Sequence, residues 1–118
     1  MNEFNSGMPI YIQVINKIKE QMALSQLKPG DKLPSSRELA IEYSINPNTA
    51  SRVYKEMELM GLCFTKRGLG TFVTEDKVVV NSISKNMAKD YTNRYLDSMR
   101  SLGYKVEEII KLIESEEN

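Results

Sequence analysis

The segment Ser44–Leu62, SINPNTASRVYKEMELMGL, decides the fold that this chain predicts. It opens on Asn46 and Pro47, where asparagine is a good helix N-cap and proline suits the first helical position. Apolar residues then recur at three- and four-residue steps, the spacing of one helix face, until Gly61 ends the pattern. The segment therefore predicts a helix that runs to about Met60. Its inward residues are Ala50, Val53, Met57 and Met60.

A shorter helix precedes this one. Ser35 and Glu38 have the spacing of a capping box, so a helix starts there in SSRELAIEY. Only Ser44 and Ile45 separate it from Asn46, and such a tight link between a short and a longer helix is typical of a helix-turn-helix. Further upstream, an amphipathic helix begins near the first proline of the chain. Its apolar residues are Ile10, Val14, Ile15, Ile18 and Met22.

After Gly61 the pattern changes from helical to extended, in LCFTKRGLGTFVTED. This stretch predicts two short strands, Leu62–Lys66 and Thr71–Thr74, joined by the glycine-rich tip RGLG. Three helices followed by a hairpin make a winged helix-turn-helix. The predicted fold class is thus mainly α with a small β-hairpin, and we place this domain at residues 8–76.

Residues 77–118 form a second segment of two predicted helices, which Gly103 divides. Two helices of this size have no third element to pack against, so they cannot bury their apolar stripes by themselves. The economical partner is the same segment of a second chain, so we expect a dimerisation segment and a C2 homodimer. The alternative is that the helices fold back on the winged domain. The stripes consist of Ile83, Met87, Tyr91, Tyr95, Met99, Ile109, Ile110 and Ile113.

The outward face of the helix after Pro47 has side chains suited to DNA. Asparagine can pair with adenine, arginine with guanine, and threonine with the thymine methyl group, each good pairing being worth roughly 1–3 kcal/mol of discrimination. The acidic Glu56 and Glu58 come late in the helix, away from the end expected to enter the groove. The alternative is a plain solvated face. The outward residues are Asn48, Thr49, Ser51, Arg52 and Lys55.

Two neighbouring segments add groups suited to phosphate. Arg37 lies in the first turn of the preceding helix, where such motifs cross the DNA backbone, and Ser35 and Ser36 can donate hydrogen bonds there. At the hairpin tip, glycines let the backbone approach a phosphate strand or the minor groove, and cations anchor it. The alternative is that these residues have no role in DNA binding and are simply an exposed arginine and an ordinary hairpin turn. The tip residues are Lys66, Arg67, Gly68 and Gly70.

Composition excludes several other classes of protein. The 118 residues include 16 basic and 16 acidic ones, so DNA affinity must come from locally arranged charge. The absence of histidine excludes a catalytic imidazole, and no cofactor or metal site is expected. The single cysteine, Cys63, lies among apolar residues and is expected to pack. With no apolar run near the roughly 20 residues of a membrane span and no signal peptide, we expect a cytoplasmic protein without a membrane partner. Residues 1–6 are polar and predict a disordered start.

Three segments together resemble a known family. KPGDKLPSSRELA, NPNTASRVYKEMELMGL and KRGLGTFV, in this order within residues 9–73, resemble the GntR family of bacterial transcription regulators. The short two-helix C-terminus resembles its YtrA-type subfamily. The resemblance implies a homodimer that binds a palindromic operator in double-stranded DNA, usually as a repressor, through Arg37, the segment Asn46–Arg52 and the wing Gly68–Gly70. Many members carry arginine or serine where this chain has Pro47, so the base contacts are expected to shift to Asn48, Ser51 or Arg52.

Other functions stand beside this one. A winged-helix module for protein–protein assembly would show no salt-dependent DNA affinity, and the polar outward face disfavours it because interface cores favour apolar and aromatic anchors. An enzyme is disfavoured because no carboxylate pair or nucleophile–base set is evident. A small-molecule effector is left open, in a pocket between the dimerisation helices or under the wing. Its candidate lining is Met87, Tyr91, Tyr95 and Met99, whose alternative role is dimer core.

Overall fold

The computed structural model describes residues 7–116 and is mainly helical with one β-hairpin. The disorder predicted for residues 1–6 lies outside the described residues. This element order confirms the predicted fold class, and the chain divides into two compact units between Ser84 and Lys85. The elements are α1 Ile10–Ala23, α2 Ser36–Tyr43, α3 Pro47–Leu59, β1 Cys63–Lys66, β2 Gly70–Val73, α4 Lys77–Ser101 and α5 Val106–Glu116.

Helix α1 forms one wall of the core in the first unit and packs against α3. Four of the five residues predicted to face inward are buried. The prediction for Ile10 is wrong: its side chain is exposed, because it is the first residue of the helix and precedes the packed stripe. The buried residues are Val14, Ile15, Ile18 and Met22.

The helix-turn-helix is built from the caps that the sequence predicts. The Ser35 hydroxyl oxygen accepts a hydrogen bond from the Glu38 N–H at 3.1 Å, and the Glu38 carboxylate accepts one from the Ser35 N–H at 2.9 Å. This capping box starts α2. Ser44 ends α2 in the left-handed region, with φ of 54°, and turns the chain toward α3. There the Asn46 side-chain oxygen accepts a hydrogen bond from the Asn48 N–H at 2.7 Å, and Pro47 takes the first helical position.

The inner face of α3 differs from the prediction at two residues. Tyr54, which the sequence analysis left out, is buried because the Pro34 carbonyl accepts the hydrogen bond of its hydroxyl group. Burial raises the pKa of Tyr54 above its usual range. Met60, predicted to face inward, is 51 % exposed, because α3 ends at Leu59 and Met60 is its C-cap. The predicted inward residues Ala50, Val53 and Met57 are buried.

The hairpin is antiparallel, with Cys63 opposite Val73 and Lys66 opposite Gly70. The predicted strand bounds were off by one residue, since β1 begins at Cys63 rather than at Leu62 and β2 spans Gly70–Val73 rather than Thr71–Thr74. Cys63 is buried as expected, and burial raises the pKa of its thiol to about 11.

A third extended segment pairs with the hairpin, and the sequence analysis did not predict it. Lys32 forms a β-bridge with Phe72, and the Leu33 N–H donates to the Thr71 carbonyl at 2.8 Å. On the other side, the Thr65 hydroxyl donates to the Glu58 carboxylate of α3 at 3.0 Å. The wing is therefore tied both to the backbone before α2 and to α3.

Helix α4 begins at Lys77, before the apolar stripe that the sequence shows from Ile83 onward. Asp76 caps its start, because its carboxylate accepts a hydrogen bond from the Val78 N–H at 3.0 Å. Val80 and Ile83, in the first turns of α4, are buried and belong to the first unit. The functional boundary drawn at residue 76 stays a prediction.

The second unit, from Lys85 onward, contains the rest of α4 and α5. Gly103, with φ of 87°, lies between the two helices, as the sequence predicts. Among the described apolar residues of this unit, Met87 and Ile109 are buried, whereas most of the others are exposed. The exposed large side chains are Tyr91, Tyr95, Leu102, Tyr104, Val106, Ile110, Leu112 and Ile113.

Candidate DNA-binding surface

The outward face of α3 is polar and accessible, as the sequence predicts. At about 1.5 Å per residue, the 13 residues of α3 make a rod of about 20 Å, which fits the major groove of B-DNA. Thr49 is half-buried and lies at the side of this face. The exposed polar residues are Asn48, Ser51, Arg52 and Lys55.

The first turn of α3 offers fewer groups to DNA than its sequence suggests. The side-chain oxygen of Asn46 is engaged as the helix cap, so its amide NH₂ is the part that can still donate to DNA. Pro47 has no N–H, and the Asn48 N–H already donates to Asn46. The first turn therefore leaves the Asn46 amide NH₂ and the Asn48 side chain accessible, and the other exposed polar side chains lie further along α3.

Arg52 is the most constrained of these side chains. Its guanidinium lies over the ring of Tyr11, with 3.9 Å between the guanidinium carbon and the ring centroid. Its Nε atom is 3.9 Å from a carboxylate oxygen of Glu56, and its side chain remains 57 % exposed. Glu56 lies late in α3, as the sequence shows, and one helical turn brings it alongside Arg52. Tyr11 was missed, since no local pattern links α1 to a residue of α3.

The start of α2 presents a second group of predicted contacts. Arg37 is exposed in the first turn, while Ser36 is half-buried. The Ser35 oxygen accepts the capping hydrogen bond, so its O–H is the group that can donate to a phosphate. The capping hydrogen bonds from Ser35 lower the pKa of Glu38, so this carboxylate is ionised at neutral pH.

The wing presents the third group. Gly68, with φ of 80°, is the third residue of a tight turn that the Leu69 N–H closes on the Lys66 carbonyl at 2.9 Å. A positive φ at this position alone fits a type II turn, which favours glycine. The Lys66 ammonium lies 5.5 Å from the centroid of the Phe72 ring, and Arg67 is exposed at the tip. The tip therefore combines two cationic side chains, Lys66 and Arg67, with glycines at the two positions where the backbone turns.

Gly70 is favoured by its backbone conformation. Its φ of 123° is a conformation that residues with a side chain rarely adopt. A Cβ atom there would lie 2.9 Å from Cε of Lys32, the far end of a flexible and exposed side chain that can move aside.

A groove of about 540 Å³ lies on the second unit, lined by Tyr95, Leu112, Ile113 and Glu116. Of the residues proposed from the sequence to line an effector pocket, it contains Tyr95 alone.

Among residues 7–116, no group of three or more histidine, cysteine or acidic side chains is arranged to hold a metal ion. Within the same range, no helix has the length and apolar character needed to cross a membrane.

Comparison with protein families gives a match over residues 10–73 to "Bacterial regulatory proteins, gntR family". The chain is 39 % identical over 114 residues to the uncharacterized HTH-type transcriptional regulator YhcF of Bacillus subtilis, covering 97 % of this chain and 94 % of that protein. It is also 39 % identical over 105 residues to the HTH-type transcriptional repressor YtrA of the same organism, covering 88 % of this chain and 81 % of the relative.

Solved structures of transcriptional regulators also superpose on this chain. A GntR family transcriptional regulator from Listeria monocytogenes superposes with a TM-score of 0.87 at 35 % identity, covering 97 % of this chain and all of the other. The structure of AraR(DBD) in complex with operator ORX1 superposes with a TM-score of 0.55 at 25 % identity, covering 63 % of this chain and 90 % of the other.

Proposed function

Because the chain belongs to the GntR family of bacterial regulatory proteins and is a transcriptional regulator with a DNA-binding winged helix, we propose that it is a repressor that binds a palindromic operator as a homodimer. The observation that carries the proposal is the exposed polar face of α3, flanked by the start of α2 and by the glycine wing. The relative YtrA, named as a repressor, supports the direction of regulation. Its place of action would be the cytoplasm, where bacterial DNA lies.

Under this proposal α3, the start of α2 and the wing each contact a different part of the DNA. The outward side chains of α3 contact base edges in the major groove, with Arg52 directed at a guanine. Arg37 and the hydroxyl groups of Ser35 and Ser36 contact phosphates, which position the domain without reading sequence. The wing tip follows the neighbouring backbone or minor groove through Lys66, Arg67, Gly68 and Gly70.

The second unit supports the homodimer. Its exposed apolar side chains exceed what a small helical pair can leave in water without a covering partner. A second copy of the same segment would cover them symmetrically and would place two copies of α3 on two inverted half-sites. The groove formed by Tyr95, Leu112 and Ile113 falls inside this surface, and we assign it to the dimer interface.

Selection from a random duplex library tests the proposal. The enriched sequence and a scrambled control would be titrated by fluorescence anisotropy at several salt concentrations. We expect an enriched inverted repeat, binding that is much tighter than to the scrambled duplex, and an affinity that falls linearly on a logarithmic salt scale.

The same experiment separates the assembly-module alternative. A protein–protein module would enrich no sequence and would bind both duplexes equally weakly. That result would overturn the repressor proposal.

A further inference from the structure

We propose that Tyr11, a residue of α1 outside the helix-turn-helix, positions Arg52 for guanine recognition and so sets part of the sequence specificity of the protein. This inference rests on the proposed function and names a specificity determinant of the same surface. No charge or hydrogen-bonding pattern in α1 marks Tyr11 for such a role, and the stacking geometry alone assigns it.

Two contacts restrain the Arg52 side chain from two directions. The guanidinium carbon lies 3.9 Å from the centroid of the Tyr11 ring, well inside the roughly 6 Å reach of a cation–π interaction. Glu56 lies one helical turn away and faces Nε at 3.9 Å. The ring contact restrains the position of the guanidinium carbon, and the carboxylate contact restrains the position of Nε.

The atoms engaged in these contacts differ from those that read guanine end-on. The guanidinium carbon of Arg52 lies over the Tyr11 ring, and the ion pair joins Glu56 to Nε. Bidentate recognition of guanine O6 and N7 uses N–H groups at the edge of the guanidinium. Stacking and base reading are therefore compatible in one side-chain conformation.

Such restraint matters because a free arginine side chain is flexible. An exposed arginine has considerable rotamer entropy, part of which is lost when the side chain binds a base. A side chain that is already held in one conformation loses less entropy on binding. It also adapts less to a base in the wrong position, so an incorrect base is bound less well. Tyr11 should therefore improve discrimination between guanine and other bases more than it improves overall affinity.

Tyr11 is half-buried on α1, which packs against α3, so a purely structural role must be separated from positioning. The matched variants are Tyr11→Leu, which removes the ring, and Tyr11→Phe, which keeps it. Tyr11→Gln is a second ring-free variant with a long side chain, for use should Tyr11→Leu not fold. Thermal unfolding of each variant shows that it is folded before DNA is added.

The test is a double-mutant cycle on discrimination. Each variant would be titrated with the selected operator and with operators in which single guanines are replaced by adenine, in the wild-type and Arg52→Ala backgrounds. Arg52→Ala should abolish the preference at one guanine. Tyr11→Leu should lower that preference by about 3- to 10-fold, Tyr11→Phe should retain it, and Tyr11→Leu should have no further effect once Arg52 is alanine.

The outcomes distinguish the inference from the proposed function. If no operator is enriched, the proposed function itself fails. If an operator is bound but Arg52→Ala changes no guanine preference, the repressor proposal survives and this inference is overturned. The inference is also overturned if Tyr11→Leu leaves the preference intact, or if its effect persists in the Arg52→Ala background, which would indicate a structural role.

Discussion

The two units of the molecule handle apolar surface in opposite ways. In the first unit, α1 and α2 pack against α3, α3 packs against β1, and β1 pairs with β2; most of the buried apolar residues of the described chain lie in this unit. In the second unit, the described apolar residues are mostly exposed around Met87 and Ile109. The first unit therefore has its own core within one chain, whereas the second leaves most of its large apolar side chains exposed.

This difference separates two kinds of functional surface. On the first unit, polar side chains project from a rigid scaffold, which suits the reading of base edges. On the second unit, isoleucine and tyrosine side chains are the exposed feature, which suits association with another apolar surface. Four substitutions test this difference between the two units.

The largest expected effect comes from the core of the first unit. Met57 of α3 is fully buried, and Met57→Ala should lower the free energy of unfolding by about 2–5 kcal/mol, since it removes buried atoms and leaves a cavity. Leu59→Ala, two residues along the same helix, is the matched control. Leu59 is 76 % exposed, so its loss should change stability by no more than about 0.5 kcal/mol. Chemical denaturation measures both, and equal effects would contradict the core described for α3.

The second change tests the apolar surface of the second unit. Ile113 is 53 % exposed, and Ile113→Glu would place a charge twice in a symmetric interface. We expect the dimer dissociation constant to rise by about tenfold or more, because a buried unpaired charge is costly. Sedimentation equilibrium measures this constant. Leu59→Glu, on the exposed side of the first unit, should leave it unchanged, and a wild-type chain that stays monomeric at all concentrations would contradict the dimer.

The third change compares two glycines of the wing. Gly70→Ala should lower the free energy of unfolding by about 1–3 kcal/mol, because a φ of 123° is strained for alanine. Gly68→Ala should cost only about 1 kcal/mol, since its φ of 80° is closer to the left-handed region and nothing lies within 4 Å of the new atom. Thermal and chemical unfolding of both variants would test the order, and a larger cost at Gly68 would contradict it.

The smallest effect is the pH dependence of the α2 capping box. Hydrogen bonds from Ser35 lower the pKa of Glu38 in the folded chain. The stabilisation by the ionised carboxylate is therefore present above the usual glutamate pKa and is lost as the pH falls through the lowered value. Glu38→Gln keeps the cap geometry without the charge, so it should remove this part of the acid sensitivity. Chemical denaturation at a series of acidic pH values measures the free energy of unfolding of both proteins. If this free energy falls equally with pH in the wild type and in Glu38→Gln, the proposed contribution of Glu38 is wrong.

The sequence predicted the parts of the fold that depend on local chemistry. Ser35 with Glu38 and Asn46 with Pro47 are short-range signals, and the structure confirms both caps. The exposure of Asn48, Ser51 and Arg52 followed from helical periodicity alone.

The missed features depend on contacts between residues far apart in the chain. The pairing of Lys32 with Phe72 and the stacking of Tyr11 on Arg52 join segments about 40 residues apart, and neither leaves a periodic pattern. Met60 was misplaced because periodicity does not show where a helix ends. Burial of Tyr54 depends on the Pro34 carbonyl, a partner that only the folded chain supplies.

We propose that two copies of the first unit bind DNA together and that the second units hold them in a dimer. The affinity of the wild-type chain and of Ile113→Glu for a full operator and for one half-site of it, measured by fluorescence anisotropy, tests this proposal. We expect removal of one half-site to weaken wild-type binding by at least about tenfold, whereas Ile113→Glu should bind both duplexes equally weakly. Equal affinity of the wild-type chain for the full operator and the half-site would contradict it.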